Sequence, residues 1–486
     1  MVELTETLPV SHLSNADIAP TPIKDRTWNV WHIAALWVGM SVCIPTYMLA
    51  ASMISAGMNW WQSLLTILLG NVIVLIPLLL NGHAGTKYGI PFPVYARASF
   101  GIHGAHIPSL LRSLVACGWF GIQTWIGGMA IHSIISTLWA GWGQIGGGWQ
   151  FMGYGLPHYT SFLIFWLINM YFVWAGTNSI KWMETLAAPF LLVTGLLLLF
   201  WASVKVGGPG VILAKSDELI QAKGERSLPD FIFKLFIPWL TAMVGFWATL
   251  SLNIPDFTRY ARSQRDQAIG QGIGLLTTMP LFAFIGIAVT SATLILYGEA
   301  IWDPVVLLSR LADDYNSPFL GILVMAVLIL ATLSTNIAAN VVSPANSISN
   351  LAPQKITFRR GGLMAGFIGI LIMPWKLLGM YLTWLISYSG LLGAVGGVIV
   401  CDYLFIRRYQ LNLAELYRER GEYAFSNGFN LSAVIATAAG ILTALGGKLH
   451  PGISFLFDGA WFSAAIVSFG VYYMLMRAFE RASPDS

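Results

Sequence analysis

A succession of long apolar stretches occupies most of the chain between residues 29 and 477. A helix needs about 20 apolar residues to cross the ~30 Å hydrocarbon layer of a bilayer, and these stretches are close to that length. A segment in lipid must satisfy its own backbone hydrogen bonds, and continuous apolar runs lack the alternation of barrel strands. The sequence therefore predicts an all-α integral membrane protein. Its twelve predicted transmembrane spans are 29–53, 60–81, 105–133, 160–176, 183–204, 235–253, 269–297, 319–343, 361–378, 380–405, 429–446 and 458–477.

The composition excludes several other classes of protein. Of the 486 residues, 56% are hydrophobic and 10% are charged, against about 25% charged residues in soluble domains. The net charge of +4 gives no support for a nucleic-acid partner. No HExxH pattern, histidine–carboxylate cluster or GxxxxGK(S/T) loop occurs, so we predict neither an enzyme nor a resident cofactor. Cys43, Cys117 and Cys401 lie in or beside apolar spans, which favours neither disulfides nor a zinc site.

Positive charge indicates the orientation in the membrane. Lysine and arginine concentrate in both tails and the even-numbered loops, as at Lys87, Arg97, Arg259, Arg360 and Arg407. Cytoplasmic loops carry an excess of these residues. We therefore expect both termini in the cytoplasm and the protein in a bacterial cytoplasmic (inner) membrane.

Two spans in corresponding positions carry helix breakers. Span one contains Pro45, and span six contains Gly245-Phe246-Trp247 and ends in Asn-Ile-Pro-Asp at 253–256. Such a pair indicates a transporter site between two inverted five-helix repeats, although Pro and Gly also simply kink membrane helices. The predicted organisation is a cytoplasmic tail at 1–28, a first repeat at 29–204, an extracytoplasmic loop at 205–234, a second repeat at 235–405, a cytoplasmic loop at 406–428, two extra helices at 429–477 and a cytoplasmic tail at 478–486.

Uncharged polar side chains interrupt spans three and eight. Trp119 and Gln123 are four residues apart, so a helix places an indole and an amide on one face. Span eight contains Ser334, Thr335, Asn336 and Asn340 within seven residues. The simpler interpretation is that the polar residues of each span serve helix packing. The alternative is a binding site, in which the hydroxyls and the carbonyls freed near Pro45 suit a hard cation such as sodium.

The candidate site residues of these spans include no Asp, Glu, Lys or Arg, and Arg112 lies toward one end of span three. A ligand held there is expected to be neutral or weakly ionised, flat enough to lie against indoles, and edged with donors and acceptors for the amides. A nucleobase or a cyclic ureide meets these requirements.

The chain resembles the nucleobase-cation-symport-1 family, which comprises cytosine/purine, uracil, thiamine and allantoin permeases. Its motifs look most like those of the bacterial allantoin and hydantoin permeases. The matching stretches are NGHAGTKYG at 81–89, PFP at 91–93, WFGIQTW at 119–125, NIPDFTR at 253–259, STNIAAN at 334–340 and MPWK at 373–376. The resemblance implies a leucine-transporter-like fold, with broken helices 1 and 6 and two extra C-terminal helices.

The resemblance also implies roles for individual residues. Trp119 and Trp247 look like two indoles that sandwich a substrate ring, with Gln123 and Asn340 as its hydrogen-bonding partners and Phe246 as a backbone contact. Asn336 and Cys43 complete the expected substrate site. The implied sodium site consists of the Ser334 and Thr335 hydroxyls and the carbonyls of Gly39, Val42 and Ala331.

Taken together, these expectations predict a secondary active cation symporter. It would import allantoin, hydantoin or a nucleobase such as uracil or cytosine by alternating access, driven by sodium or by protons. Two alternatives stay open on the sequence alone: a facilitative channel for small neutral solutes, and a membrane receptor that binds the heterocycle without moving it.

The chain differs from the family that it resembles at Cys43, because family members carry an amide side chain at this position. A thiol is a weak donor and acceptor. We expect Cys43→Asn to raise the affinity for allantoin, measured by competition in a transport assay. Unchanged affinity for every heterocycle tested would remove Cys43 from the substrate site.

Overall fold

The computed structural model describes residues 1–4, 11–175, 177–221 and 226–482, with the side chains of 177–188 and 479–482 excepted. The prediction of an all-α fold is confirmed. Within the described ranges, the strands are limited to one antiparallel hairpin, β1 (Gln150–Phe151) and β2 (Tyr154–Gly155).

The helices follow the predicted spans in order. The first nine are α1 (Val30–Ser41), α2 (Ile44–Ser55), α3 (Trp60–Tyr88), α4 (Phe92–Phe100), α5 (His106–Leu138), α6 (Leu156–Ala175), α7 (Thr177–Val206), α8 (Pro209–Gln221) and α9 (Leu228–Phe231). The remainder are α10 (Ile237–Asn253), α11 (Pro255–Thr258), α12 (Gln264–Tyr297), α13 (Pro304–Asp314), α14 (Pro318–Asn340), α15 (Val342–Ser349), α16 (Phe358–Leu371), α17 (Pro374–Gly379), α18 (Tyr381–Cys401), α19 (Leu431–Gly446), α20 (Phe455–Asp458) and α21 (Ala460–Ala482).

Each predicted span contains a helix, but the helices differ in length. Among the described residues, eight helices are long and apolar enough to cross a membrane, and the bent pair α1–α2 makes a ninth. Helices α16 and α19 have 14 and 16 residues, fewer than a perpendicular crossing requires. The count of twelve spans therefore stays a prediction.

The break predicted in span one lies at Val42 and Cys43, between α1 and α2. The two helices bend by 56° there. Cys43 has an extended backbone, and Pro45 takes the second position of α2, where its missing N–H costs no helical hydrogen bond. Proline therefore restarts the helix after the break.

In span six, the helix breaks at a different position from the one suggested by Gly245. Helix α10 continues without interruption through Gly245-Phe246-Trp247, and the chain departs from it at Ile254, before the short α11. Gly245 instead allows α10 to approach α18: a Cβ on Gly245 would lie 2.7 Å from Ser389 Cβ and 3.2 Å from the Leu385 carbonyl oxygen. Glycine here serves packing between helices.

Two groups of helices enclose the centre of the protein. Helix α12 packs along α1, α2 and α3, and α10 packs on α3 and α18, whereas α5 packs along α14, α6 and α15. The first group carries the break in span one, and the second carries the polar residues of spans three and eight. The sequence features of interest thus face one another across the boundary between the groups.

The N-terminal segment, residues 11–28, packs across one end of both groups. The Arg259 Nη1 donates to the Asp17 carbonyl at 2.9 Å, and the Tyr417 hydroxyl donates to the Ile18 carbonyl at 2.8 Å. The Asn15 amide donates to Ser349 Oγ of α15 at 3.3 Å. The segment therefore bonds to the chain after α11, to the loop before α19 and to α15.

The close approach at Gly245 predicts a specific sensitivity. We expect Gly245→Ala to destabilise the protein by about 1–3 kcal/mol through overpacking against α18, seen as a lower melting temperature in detergent. The matched control is Gly272→Ala in α12, where no atom lies within 4 Å of the new methyl group. An equal melting temperature for both variants would contradict the packing role of Gly245.

Candidate functional site

A small cavity lies where the break in span one faces α5, α10 and α14. Its volume is about 40 Å³, and it is lined by Met40, Cys43, Pro45, Trp119, Gln123, Phe246, Trp247, Thr249, Leu250, Thr335, Ala339 and Asn340. All the predicted substrate residues except Asn336 line it. No charged side chain is among the lining residues.

Two indoles and a phenyl ring form the aromatic part of the cavity. The Phe246 ring lies 5.2 Å from Trp119 and 4.8 Å from Trp247, nearly perpendicular to each. Trp119 Nε1 donates to the Tyr388 hydroxyl at 3.2 Å, and Trp247 Nε1 donates to Asn71 Oδ1 at 3.1 Å. Both indole N–H groups are thus satisfied by protein partners, which fixes the ring planes.

The cavity is too small for a heterocycle as it stands. A volume of about 40 Å³ holds only a few water molecules. The Phe246 ring packs edge-on against both indoles and so forms part of the wall of this small cavity. The arrangement is that of a closed site.

Gln123 presents an unpaired acceptor in this cavity. Its side chain is 3% exposed, and no donor among the described residues lies within hydrogen-bonding distance of its Oε1 atom. A buried carbonyl without a donor costs about 1–3 kcal/mol. Native proteins leave few buried polar atoms unsatisfied, and such an atom is available to a water molecule, an ion or a ligand.

Asn336 lies behind Asn340, outside the cavity. The Asn340 Nδ2 donates to Asn336 Oδ1 at 3.0 Å. Asn336 Nδ2 donates in turn to Thr124 Oγ1 at 3.1 Å and to Asn169 Oδ1 at 3.2 Å. Asn336 is fully buried and links α14 to α5 and α6, so its amide orients Asn340 from behind.

Cys43 lines the cavity at the start of α2. Its Sγ lies 3.2 Å from Thr46 Oγ1, one turn into the helix. The thiol therefore has a hydrogen-bonding partner within the protein. It also lines the cavity, where a ligand can contact it.

The break also frees backbone carbonyls near α14. The Cys43 amide donates to the Ser41 carbonyl at 3.0 Å, instead of to Gly39 one helical turn earlier. The Thr46 amide donates to the Cys43 carbonyl at 3.1 Å, instead of to Val42. The carbonyls of Gly39 and Val42 thus lose their helical donors, as a site for a hard cation requires.

The α14 members of the predicted ion site are buried beside this break. Ser334, Thr335 and Ala331 are 3%, 8% and 4% exposed, and α14 contacts both α1 and α2. Thr335 also lines the cavity. Among the described residues, no group of three His, Cys, Asp or Glu side chains could hold a metal ion, so hydroxyl and carbonyl oxygens are the available ligands.

Several lining residues were missing from the sequence prediction. Thr249 and Leu250 follow Phe246 by three and four residues, and Ala339 follows Thr335 by four. Helical periodicity from the predicted residues would have found these three. Trp125 lies in the same motif as Trp119 but packs elsewhere, with its ring 4.8 Å from Tyr154.

Two permeases are similar in sequence to this chain over nearly its whole length. The chain is 43% identical to the purine-uracil permease NCS1 of Arabidopsis thaliana, over 96% of this chain and 78% of the plant protein. It is 40% identical to the allantoin permease of Bacillus subtilis (strain 168), over 97% of this chain and 95% of that one.

Solved structures of one transporter, Mhp1, share the fold. The inward-facing conformation of Mhp1 superposes with a TM-score of 0.79 at 26% identity, covering 99% of this chain and 96% of Mhp1. The closed conformation with bromovinylhydantoin bound, described as a nucleobase-cation-symport-1 family transporter, gives a TM-score of 0.77 at 27% identity, covering 97% and 96%. The leucine-transporter-like fold is therefore confirmed.

The family assignment rests on nearly the whole length of the chain. Residues 20–463 match the family described as permease for cytosine/purines, uracil, thiamine, allantoin. This chain belongs to that family of multi-pass membrane permeases and is a transporter, not an enzyme.

Proposed function

We propose that the protein is a secondary active symporter that imports a small neutral nitrogen heterocycle by alternating access. The observation that carries the proposal is the unpaired Gln123 Oε1 in a closed cavity with two indoles and a second carboxamide. Such a cavity offers stacking surfaces and directional hydrogen bonds but no charge. It suits a flat ring with N–H and C=O groups on its edge.

Each residue has a distinct role in this proposal. The ring stacks between Trp119 and Trp247, while Gln123 accepts a hydrogen bond from a ring N–H and Asn340 bonds to its opposite edge. Asn336 acts as a positioning residue, because its bonds to α5 and α6 hold Asn340.

Allantoin, hydantoin, uracil and cytosine are the candidate substrates. The names of the relatives include purine-uracil and allantoin permeases, and Mhp1 was solved with bromovinylhydantoin. These molecules share a small ring with hydrogen-bond donors and acceptors on its edge. The Cys43 thiol, placed at the cavity wall, distinguishes this site from one lined by an amide.

Sodium is the proposed driving ion, with protons as the alternative. The Ser334 and Thr335 hydroxyls would bind it together with the carbonyls of Gly39, Val42 and Ala331. One charge moving through 100 mV releases about 2.3 kcal/mol, which exceeds the roughly 1.4 kcal/mol of a tenfold concentration ratio. Thr335 belongs to the ion site and the cavity, so ion binding and substrate binding share one rigid helix.

The proposed path runs from the extracytoplasmic side. A wide cavity of about 800 Å³ lies along the last turns of α5, beside α13, with Trp125 and His132 in its wall. We place this cavity outside a bacterial cytoplasmic membrane and both termini inside. The N-terminal segment then covers the cytoplasmic end. Two five-helix repeats, at 29–204 and 235–405, rock against each other during transport.

Uptake by purified protein in liposomes tests the function. We expect a labelled heterocycle from a panel of allantoin, hydantoin, uracil and cytosine to accumulate against its gradient when sodium is high outside. Flux that only equalises concentrations would instead indicate a channel. Saturable binding without flux would indicate a receptor.

The indole sandwich predicts the behaviour of Trp119. We expect Trp119→Ala to weaken substrate binding by about 1–3 kcal/mol, or roughly 5- to 150-fold, and Trp119→Phe to keep part of the affinity. Trp174→Ala serves as control, because that indole is 61% exposed on the surface of α6. Normal affinity in the Trp119→Ala variant would refute the sandwich.

The unpaired acceptor of Gln123 predicts that its removal stabilises the substrate-free protein but weakens substrate binding. We expect Gln123→Met to raise the melting temperature of the substrate-free protein, since it removes a buried carbonyl that costs about 1–3 kcal/mol, and to weaken binding. Gln62→Met is the matched comparison: Gln62 pairs with Asn59 at the start of α3, so its loss lowers the melting temperature. A destabilised Gln123→Met with unchanged binding would contradict the role of Gln123.

The proposed ion site predicts that a substitution in α14 weakens the coupling between sodium binding and substrate binding. We expect Thr335→Ala to reduce at least tenfold the ratio of substrate affinities with and without sodium, because one ion ligand is gone. Thr277→Ala, on the exposed face of α12, should leave the ratio unchanged. An unchanged ratio in Thr335→Ala would assign the coupling to protons or to another site.

A further inference from the structure

A groove far from the central cavity combines charge with an exposed apolar face. It lies between the first residues of α1 and α12, has a volume of about 580 Å³, and includes Trp31, Arg262, Arg265, Asp266, Ile269 and Ile273 in its wall. None of these residues takes part in the proposed transport site.

The two arginines of the groove differ in their partners. Arg262 Nε donates to Asp266 Oδ2 at 3.0 Å, and the Val30 backbone amide donates to Asp266 Oδ1 at 3.0 Å. Asp266 is 4% exposed and its charge is balanced by Arg262. Arg265 is exposed and has no ion pair or hydrogen bond to any residue in the described ranges. The groove thus keeps one unbalanced positive charge.

Below Arg265, the exposed face of α12 is apolar. Ile269, Ile273 and Leu281 follow at four-residue intervals with Thr277 among them, and they are 38%, 44% and 52% exposed. Across the groove, the Trp31 indole is 72% exposed at the first turn of α1. The Arg265 guanidinium and the Trp31 indole lie at the same end of the apolar stripe. This arrangement matches the order of headgroups and acyl chains in a lipid leaflet.

The walls of the groove are held at a fixed distance. A Cβ on Gly270 would lie 2.6 Å from Ile33 Cβ, and one on Gly274 would lie 2.6 Å from Trp37 Cβ. Helices α1 and α12 are therefore in close contact immediately beneath the groove. Its shape is set by the backbone and does not depend on a ligand.

We propose that this groove binds one anionic phospholipid of the cytoplasmic leaflet. The phosphate pairs with Arg265, Trp31 packs at the headgroup level, and an acyl chain lies along Ile269 and Ile273. The leaflet follows from the proposed orientation, whereas the site itself is independent of the transported substrate.

Lipid titration of the purified full-length protein in detergent tests the proposal. We expect phosphatidylglycerol to raise the melting temperature saturably and phosphatidylcholine to have a much smaller effect. Arg265→Gln should weaken the apparent affinity for phosphatidylglycerol roughly fivefold. Arg359→Gln, an exposed arginine at the start of α16 with the same charge change, should leave it unaltered.

Three results would overturn the proposal. Equal shifts with the two lipids would show that charge is not recognised. An equal loss in Arg359→Gln would show general surface electrostatics. A full shift with inorganic phosphate or glycerol phosphate would show an anion site that needs no acyl chain. Native mass spectrometry provides the second readout: we expect one retained phosphatidylglycerol in wild type and a smaller retained fraction in Arg265→Gln.

Discussion

At the break between α1 and α2, the carbonyls of Gly39 and Val42 lack their helical hydrogen-bond donors. In a bilayer an unpaired backbone carbonyl is costly, so a broken helix is tolerated only where protein or a polar cavity surrounds it. Here the break faces the hydroxyls of α14 and the indoles of α5 and α10. Helix packing around this gap creates both the cavity and the oxygen-rich environment beside it, so one departure from α geometry accounts for the two proposed binding functions.

In the proposed substrate site, the amides of Asn336 and Gln123 have different roles. Asn336 is fully satisfied by α5, α6 and Asn340, which fixes the direction of the Asn340 side chain before any ligand arrives. Gln123 keeps an unsatisfied oxygen. Preorganising one amide lowers the entropy cost of binding, and leaving the other unpaired makes the empty site less favourable than the filled one. In this proposal the two amides together favour binding of a neutral ligand without any charged side chain.

Much of this arrangement could be predicted from the sequence, for identifiable reasons. Polar side chains at four-residue spacing in apolar spans revealed Gln123, Asn336 and Asn340, because burying amides in a membrane needs an explanation. Met40 could not be found on chemical grounds, since an apolar residue looks the same whether it faces lipid or a cavity. The glycine at 245 suggested a break but serves packing against α18, and only the partner helix distinguishes the two. The packing of residues 11–28 was also hidden, because a polar tail resembles solvated chain.

The contacts of residues 11–28 have a practical consequence for handling the protein. These residues bond to the chain after α11 and to α15, which belong to the two opposing helix groups. Removal of residues 11–28 would therefore eliminate contacts that join the two groups.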